Sequence, residues 1–213
     1  MACSQDRRPP TQLSFWQLSD SAFSSPFRDT NDEPEGFITY RNNYDLGLLN
    51  LRIISLGLVH QSNGRARPLS RSWNRLFAEF GLEKVFNKKK RHEFDLFVKG
   101  WYRIPEDSPG DDNPDIEKFM GNMEIRGVYY WNNISLSMML RNNLRTPENK
   151  GALQLDGIFP FPKFPEWFPF LGKERIRNSL KFYVQYFTGY GECLLNYNSS
   201  SNRFGLGLTV TNW

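Results

Sequence analysis

Histidine occurs twice in the 213 residues and cysteine twice. No stretch holds the eighteen or so consecutive apolar residues that a helical membrane crossing needs. Cys3 and Cys193 are too few and too far apart for a disulfide framework or a thiolate metal site, and are read as unpaired. Charge is not one-sided either. Twenty-seven basic against 23 acidic residues leave +4, scattered along the chain, which gives no case for a nucleic-acid partner. Only "NKKKRH", residues 87–92, concentrates positive charge, and it reads as a solvated turn between strands. The opening "MACSQDRRPP" lacks the apolar segment of a secretory signal, so residues 1–10 read as an unstructured or atypical leader with no visible means of export. Helical periodicity is scarce as well.

What the chain does have is aromatic residues and alternation. Aromatics make up 15% of it, with 18 Phe and 6 Trp. Segments with a period of two recur at about 11–20, 35–43, 50–62, 72–81, 93–104, 120–131, 134–142, 152–159, 179–188 and 203–212. In "ISLSMMLRN", Ile134, Leu136, Met138 and Leu140 oppose Ser135, Ser137 and Arg141. In "FGLGLTVTN", Phe204, Leu206, Leu208 and Val210 oppose Gly205, Gly207, Thr209 and Thr211. Residues 11–213 therefore form one all-β antiparallel domain of about ten strands. A mean hydropathy of −0.59 argues against buried helices but not against a transmembrane β-barrel, whose lumen face is polar.

Pattern alone leaves two architectures open. In a soluble sandwich the apolar row fills the core; in a membrane barrel it faces lipid and the polar row lines the lumen. Three features favour the barrel. Strand lengths approach the nine to eleven residues of a tilted crossing. Trp101, Tyr102, Tyr129, Tyr130 and Trp131 cluster near strand ends, and the chain ends on Trp213. Arg41, Arg126 and Arg141 with Asp95, Glu124 and Asp156 would then form a charge network in the lumen. "PEDSPGDDNPD" reads as an exposed loop. The Pro- and Phe-dense "PFPKFPEWFPFLGKER" is expected to lie along an interface or a membrane surface.

Within "LGLVHQSNGRARPLSRSWNRL", Leu56, Leu58, His60 and Ser62 share one phase. Residues two apart on a strand lie on one face, about 7 Å apart, so His60 can reach Ser62. Asn74, in phase with Leu76, Ala78 and Phe80 on the next strand, can meet His60 across the hairpin. Serine, histidine and an orienting amide are a nucleophile, a base and a tautomer-fixing group. Spacing alone favours the plainer reading, a polar pair at a strand end among lipid headgroups.

The strings "HQSNG…SRSWNR", "WQLSDSAFSSPFRDTNDEPE", "DDNPDIEKFMG" and "TGYGECLLNYN" resemble outer-membrane phospholipase A of Gram-negative bacteria, from about Gln12 to the end. The resemblance implies a twelve-stranded barrel in the bacterial outer membrane. It implies a calcium-dependent homodimer that hydrolyses acyl esters of membrane phospholipids (phospholipase A1/A2 activity) on its lipid-facing side. Position by position, Ser62 would be the nucleophile, His60 the base, Asn74 its orienting partner and the Gly64 N–H an oxyanion donor. Ca2+ would be held by the Arg65 carbonyl, the Ser70 side chain and the Ser24 carbonyl of the partner subunit, and Gln12 would pack at the dimer interface. Three departures go with it. The family's first two strands have no counterpart, which leaves residues 12–20 as a sheet edge. Arg67 sits where family members often carry an acidic residue, and Trp213 is out of phase with its strand. The alternatives are a truncated, inactive barrel that retains the motif, and a soluble β-sandwich esterase.

Overall fold

The structure, a computed structural model, describes residues 11–17, 27–107, 109–160 and 179–210. Eleven antiparallel strands make one sheet: β1 (Thr11–Trp16), β2 (Phe27–Glu33), β3 (Glu35–Asp45), β4 (Asn50–Ser62), β5 (Ser72–Asn87), β6 (His92–Ile104), β7 (Met123–Trp131), β8 (Ile134–Asn142), β9 (Gly151–Pro160), β10 (Leu180–Gly189) and β11 (Ser201–Val210). A five-residue helix, α1 (Ile116–Met120), precedes β7. β2 and β3 both pair with β4 and are separated by Pro34 alone, so they form one kinked strand, because proline cannot donate to the ladder. Ten strand positions result, as the alternation predicts, although "FRDTNDE" (β2) carries no alternating signal of its own. No helix among the described residues is long and apolar enough to cross a membrane, so any crossing falls to strands.

The sheet curls back on itself. After β10, the Leu195 N–H donates to Oδ2 of Asp29 (3.0 Å) and the Leu194 N–H to Oδ1 of Asn31 (3.4 Å), both on β2. The Arg203 guanidinium of β11 lies 5.6 Å above the Phe15 ring of β1. Among the described residues no ladder joins β1 to β11, so β1 is a sheet edge, as the sequence predicts. Lys99 of β6 pairs with Glu35 of β3 at 3.3 Å.

The apolar rows point outward. Phe204, Leu206, Leu208 and Val210 are all exposed, as are Leu136, Met138 and Leu140. The opposite rows hold Ser55, Arg75, Glu79, Arg103 and Ser135, all buried. A soluble sandwich would reverse this arrangement, which makes the structure that of a barrel with a polar interior. Much of the expected lumen network is present. Arg126 pairs with Glu124 at 3.2 Å, Arg141 donates to the Tyr190 and Gly191 carbonyls, and Asp156 accepts from Ser137, Gln154, Tyr183 and Gln185. Arg41, also in the inward phase, is exposed.

One end of the interior is filled. Val59, Trp73, Phe77, Trp101, Ile116, Met120, Leu194 and Tyr197 form a buried cluster. Trp101, grouped by sequence with the strand-end aromatics, belongs here because its phase is inward; its indole meets Trp73 edge-on at 6.4 Å and donates to the Gly121 carbonyl. Tyr102 and Trp131 are exposed. The basic run is a turn: Asn87 caps the 3-10 turn Lys88–Lys90 by accepting from two of its N–H groups, and the lysines face solvent.

Candidate active site

His60 and Ser62 close β4 in the row of Leu56 and Leu58, which are 58% and 55% exposed. Leu76, 51% exposed, continues the same face on β5. Their neighbours in the other phase are locked inside: Val59 is buried, and Trp73 is 0% exposed. A one-residue slip would exchange the two sets, so the core cluster holds the polar groups outward. The Trp73 indole and Arg75 both donate to Oε1 of Gln61, and Arg75 also pairs with Glu33 at 2.8 Å. This inward brace ties β2, β4 and β5 together directly behind the site.

The pairing of β4 with β5 sets His60 opposite Asn74 and Ser62 opposite Ser72. Nδ1 of His60 lies 2.9 Å from Oδ1 of Asn74. An amide oxygen only accepts, so Nδ1 is the donor in this contact, and in the neutral imidazole that arrangement leaves the lone pair on Nε2. On its other side, Nδ2 of Asn74 donates to Oε1 of Glu106 at 3.1 Å. His60, Asn74, Leu58 and Ile104 line an open cleft with Pro34, Glu35 and Gly36.

Beyond Ser62 the chain forms a braced loop. Asn63, buried, donates to the Leu69 carbonyl and accepts from the Arg71 N–H. Gly64 has φ +61°, a left-handed conformation that glycine adopts at no steric cost, and a Cβ added there would meet nothing within 4 Å. Among the described residues its N–H has no acceptor.

The segment read as an exposed loop does more than that reading foresaw. Asn113 is fully buried and its Oδ1 accepts the Ser72 N–H, while Asp111 pairs with Arg103 at 2.7 Å. Asp112 binds Ser70 through Oδ2 and Arg67 through Oδ1, the latter at 2.6 Å. The Ser70 hydroxyl, with Arg67 beside it, holds the Asp112 carboxyl below its ordinary range. Sequence reasoning missed Asn63, Glu106, Asp112 and Asn113 as contributors; "DDNPD" was conspicuous, but nothing local aimed it at residues 62–74.

The Arg65 carbonyl, the Ser70 hydroxyl and the adjoining Asp112 carboxylate are all hard oxygens, as calcium requires. They fit the ion in kind. The Arg67 guanidinium already neutralises the one carboxylate, which weakens the electrostatic pull on a divalent cation. Among the described residues no three His, Cys, Asp or Glu side chains converge. Gln12, on the outward face of β1, donates to Oδ1 of Asp32, the residue paired with Ser62. Ser24, Trp213, residues 1–10 and residues 161–178 of the Pro- and Phe-rich connection lie outside the described residues.

Residues 10–210 match the family model for phospholipase A1. Relatives include the phospholipase A1 of Klebsiella pneumoniae, 36% identical over 94% of this chain and 60% of its own length. That of Escherichia coli K12 is 35% identical over the same shares. Among solved structures, outer membrane phospholipase A from Escherichia coli superposes with a TM-score of 0.77 at 34% identity, covering 94% of this chain and 72% of that one. The calcium-bound dimer of Salmonella typhi outer membrane phospholipase gives 0.76 at 33%, over 94% and 68%. The chain spans about 60% of the length of these curated relatives.

Proposed function

Because the chain belongs to the phospholipase A1 family, we propose that it hydrolyses acyl esters of phospholipids in the bacterial outer membrane, using Ser62, His60 and Asn74 on the lipid-facing side of the barrel. The observation that carries the reading is the His60–Asn74 hydrogen bond of 2.9 Å, set in a row of exposed leucines. A base whose substrate is the surrounding bilayer has to stand in the row that touches lipid.

Ser62 Oγ attacks the ester carbonyl carbon while Nε2 of His60 takes the hydroxyl proton. The imidazolium is held by Asn74 Oδ1, which accepts from Nδ1–H. Asparagine gives that orientation without a full charge, which suits a site that faces hydrocarbon. The Gly64 N–H donates to the developing oxyanion. When the tetrahedral species collapses, the C–O bond of the ester breaks and His60 returns the proton to the leaving lysophospholipid oxygen. Water activated by the same imidazole then cleaves the acyl-Ser62 ester and frees the fatty acid.

The Arg65 carbonyl, the Ser70 hydroxyl and the carbonyl of Ser24 of the partner subunit would hold Ca2+, which supplies positive charge that steadies the oxyanion. The relative from Salmonella typhi is described as a calcium-bound dimer. A homodimer with Gln12 at its interface would complete the site, and the requirement for a second chain would keep an isolated barrel from digesting its own membrane.

The test is hydrolysis of a phospholipid in mixed micelles with calcium, by the protein refolded in detergent. Turnover by wild type and its loss in Ser62→Ala, with barrel mobility on gels unchanged, is expected. Undiminished hydrolysis by Ser62→Ala would overturn the reading. A second reading, an inactive barrel that keeps the motif, draws on β1 and β11, which no ladder joins among the described residues. A folded wild type without turnover at saturating calcium would favour it.

A further inference from the structure

We infer that Glu106 is a positioning residue that fixes which way round the Asn74 amide stands, and through it which nitrogen of His60 carries the proton. The inference rests on the hydrolase reading above.

An asparagine side chain can serve a neighbour from either end, offering its oxygen or, after a half-turn, its NH2. Which end faces His60 decides whether that histidine is a base. With Oδ1 toward Nδ1, the imidazole keeps its proton on Nδ1 and has a lone pair on Nε2 for the Ser62 hydroxyl. With NH2 toward Nδ1, that nitrogen must accept, Nε2 carries the proton, and the base is lost. Both arrangements make one hydrogen bond to His60, so the pair by itself does not choose.

Glu106 makes the choice. Its carboxylate only accepts, and it takes Nδ2 of Asn74 at 3.1 Å. Reversing the amide would set two acceptors against each other. The one arrangement that satisfies all three groups leaves Oδ1 for His60, where it lies 2.9 Å from Nδ1. The remaining charged groups around the cleft are engaged elsewhere. Glu35 pairs with Lys99 at 3.3 Å, Arg75 with Glu33 at 2.8 Å, and Asp32 accepts from Gln12 at 2.9 Å. The backbone supplies the placement: Ile104 is the strand partner of Asn74, Pro105 ends the ladder of β6, and the next residue turns its carboxylate onto the amide.

The experiment is nitrogen NMR of the refolded protein carrying 15N-labelled histidine. The chain has only two histidines, His60 and His92, so a His92→Gln variant assigns the spectrum. Wild type is expected as the Nδ1–H tautomer at His60. In Glu106→Gln either end of the new amide can meet either end of Asn74. Both tautomers should appear, and hydrolysis should fall roughly threefold to tenfold. In Glu106→Lys the new group only donates, which reverses Asn74; the Nε2–H tautomer should dominate, with activity falling toward the loss of about 10⁴-fold expected for a base held in the wrong tautomer. Glu106→Ala, which removes the carboxylate and favours neither orientation of the amide, should likewise show both tautomers, with a fall like that of Glu106→Gln. Tautomers and rates in the glutamine and lysine variants that match wild type would overturn the inference, as would a wild type already in the Nε2–H form. Failure of the hydrolase reading has a different signature: no turnover in wild type, or turnover that survives Ser62→Ala, whatever the tautomer.

Discussion

Met138→Arg separates a lipid-facing row from a water-facing one. Met138 is the middle residue of β8, is 46% exposed, and pairs with Gly127 on one side and Leu155 on the other, far along the sheet from His60. Nine residues at about 3.3 Å each, tilted by about 40°, climb some 23 Å, close to the ~25 Å apolar band of an outer-membrane barrel. Met138 therefore falls near the midplane. In water, an arginine at so exposed a position changes stability by no more than about 0.5 kcal/mol. At the centre of a bilayer it costs about 2–4 kcal/mol. The substitution opens no cavity, so the two cases differ through solvent alone. The assay is reversible unfolding in guanidinium in phospholipid vesicles, with Phe204→Arg, on the same face nearer a strand end, as a position of smaller expected cost. A Met138→Arg penalty below about 0.5 kcal/mol would refute the assignment of the apolar rows to lipid.

Arg67→Ala should raise calcium affinity, by roughly threefold to tenfold, because it frees the Asp112 carboxylate from a guanidinium 2.6 Å away; screening at this exposed arginine limits the gain. Calcium titration calorimetry reads it, and an unchanged affinity would count against Asp112 and Ser70 lying at the ion. Trp73→Ala should cost about 3–5 kcal/mol, since the indole is fully buried, donates to Gln61 and meets Trp101; denaturant unfolding reads it, and a cost below about 1 kcal/mol would mean that the cluster behind the site is not the brace described. Burial pushes the Cys193 thiol above its ordinary value of 9.0. Neutral thiol is thus favoured in the folded state, a contribution present below pH 9 that fades as pH rises further. Maleimide should accordingly leave Cys193 unlabelled at pH 8 until denaturant is added, as followed by mass spectrometry.

How far the site could be read in advance depended on the range of the signal. Leu56, Leu58, His60 and Ser62 share a phase because strand geometry alternates strictly, and that alone placed imidazole and hydroxyl among leucines. β4 and β8 have the bounds that the alternation predicts. Asn74 opposite His60 followed from a short connection between adjacent strands, where few registers compete. β2 was missed because its inward residues, Asp29 and Asn31, are polar, so the segment carries no hydrophobic period. Trp101 was misgrouped because an aromatic residue near a strand end suits a membrane girdle and a core plug equally, and only its phase relative to Trp73 separates them.

The chain's own pattern settled the all-β class, the division of each strand into two faces and the sharing of one face by His60, Ser62 and the leucines, since these depend on residues within a few positions of one another. That this face turns outward was decided by the tertiary structure, which buries the opposite row. Only the tertiary structure brought Glu106, Asp112 and Asn113 onto the loop and strand that carry Ser70, Ser72 and Asn74. Those contacts span about thirty to forty residues and close through a connection with no period, so no local preference encodes them. They form because buried amides and carboxylates must find partners, and the curled sheet decides which ones are within reach.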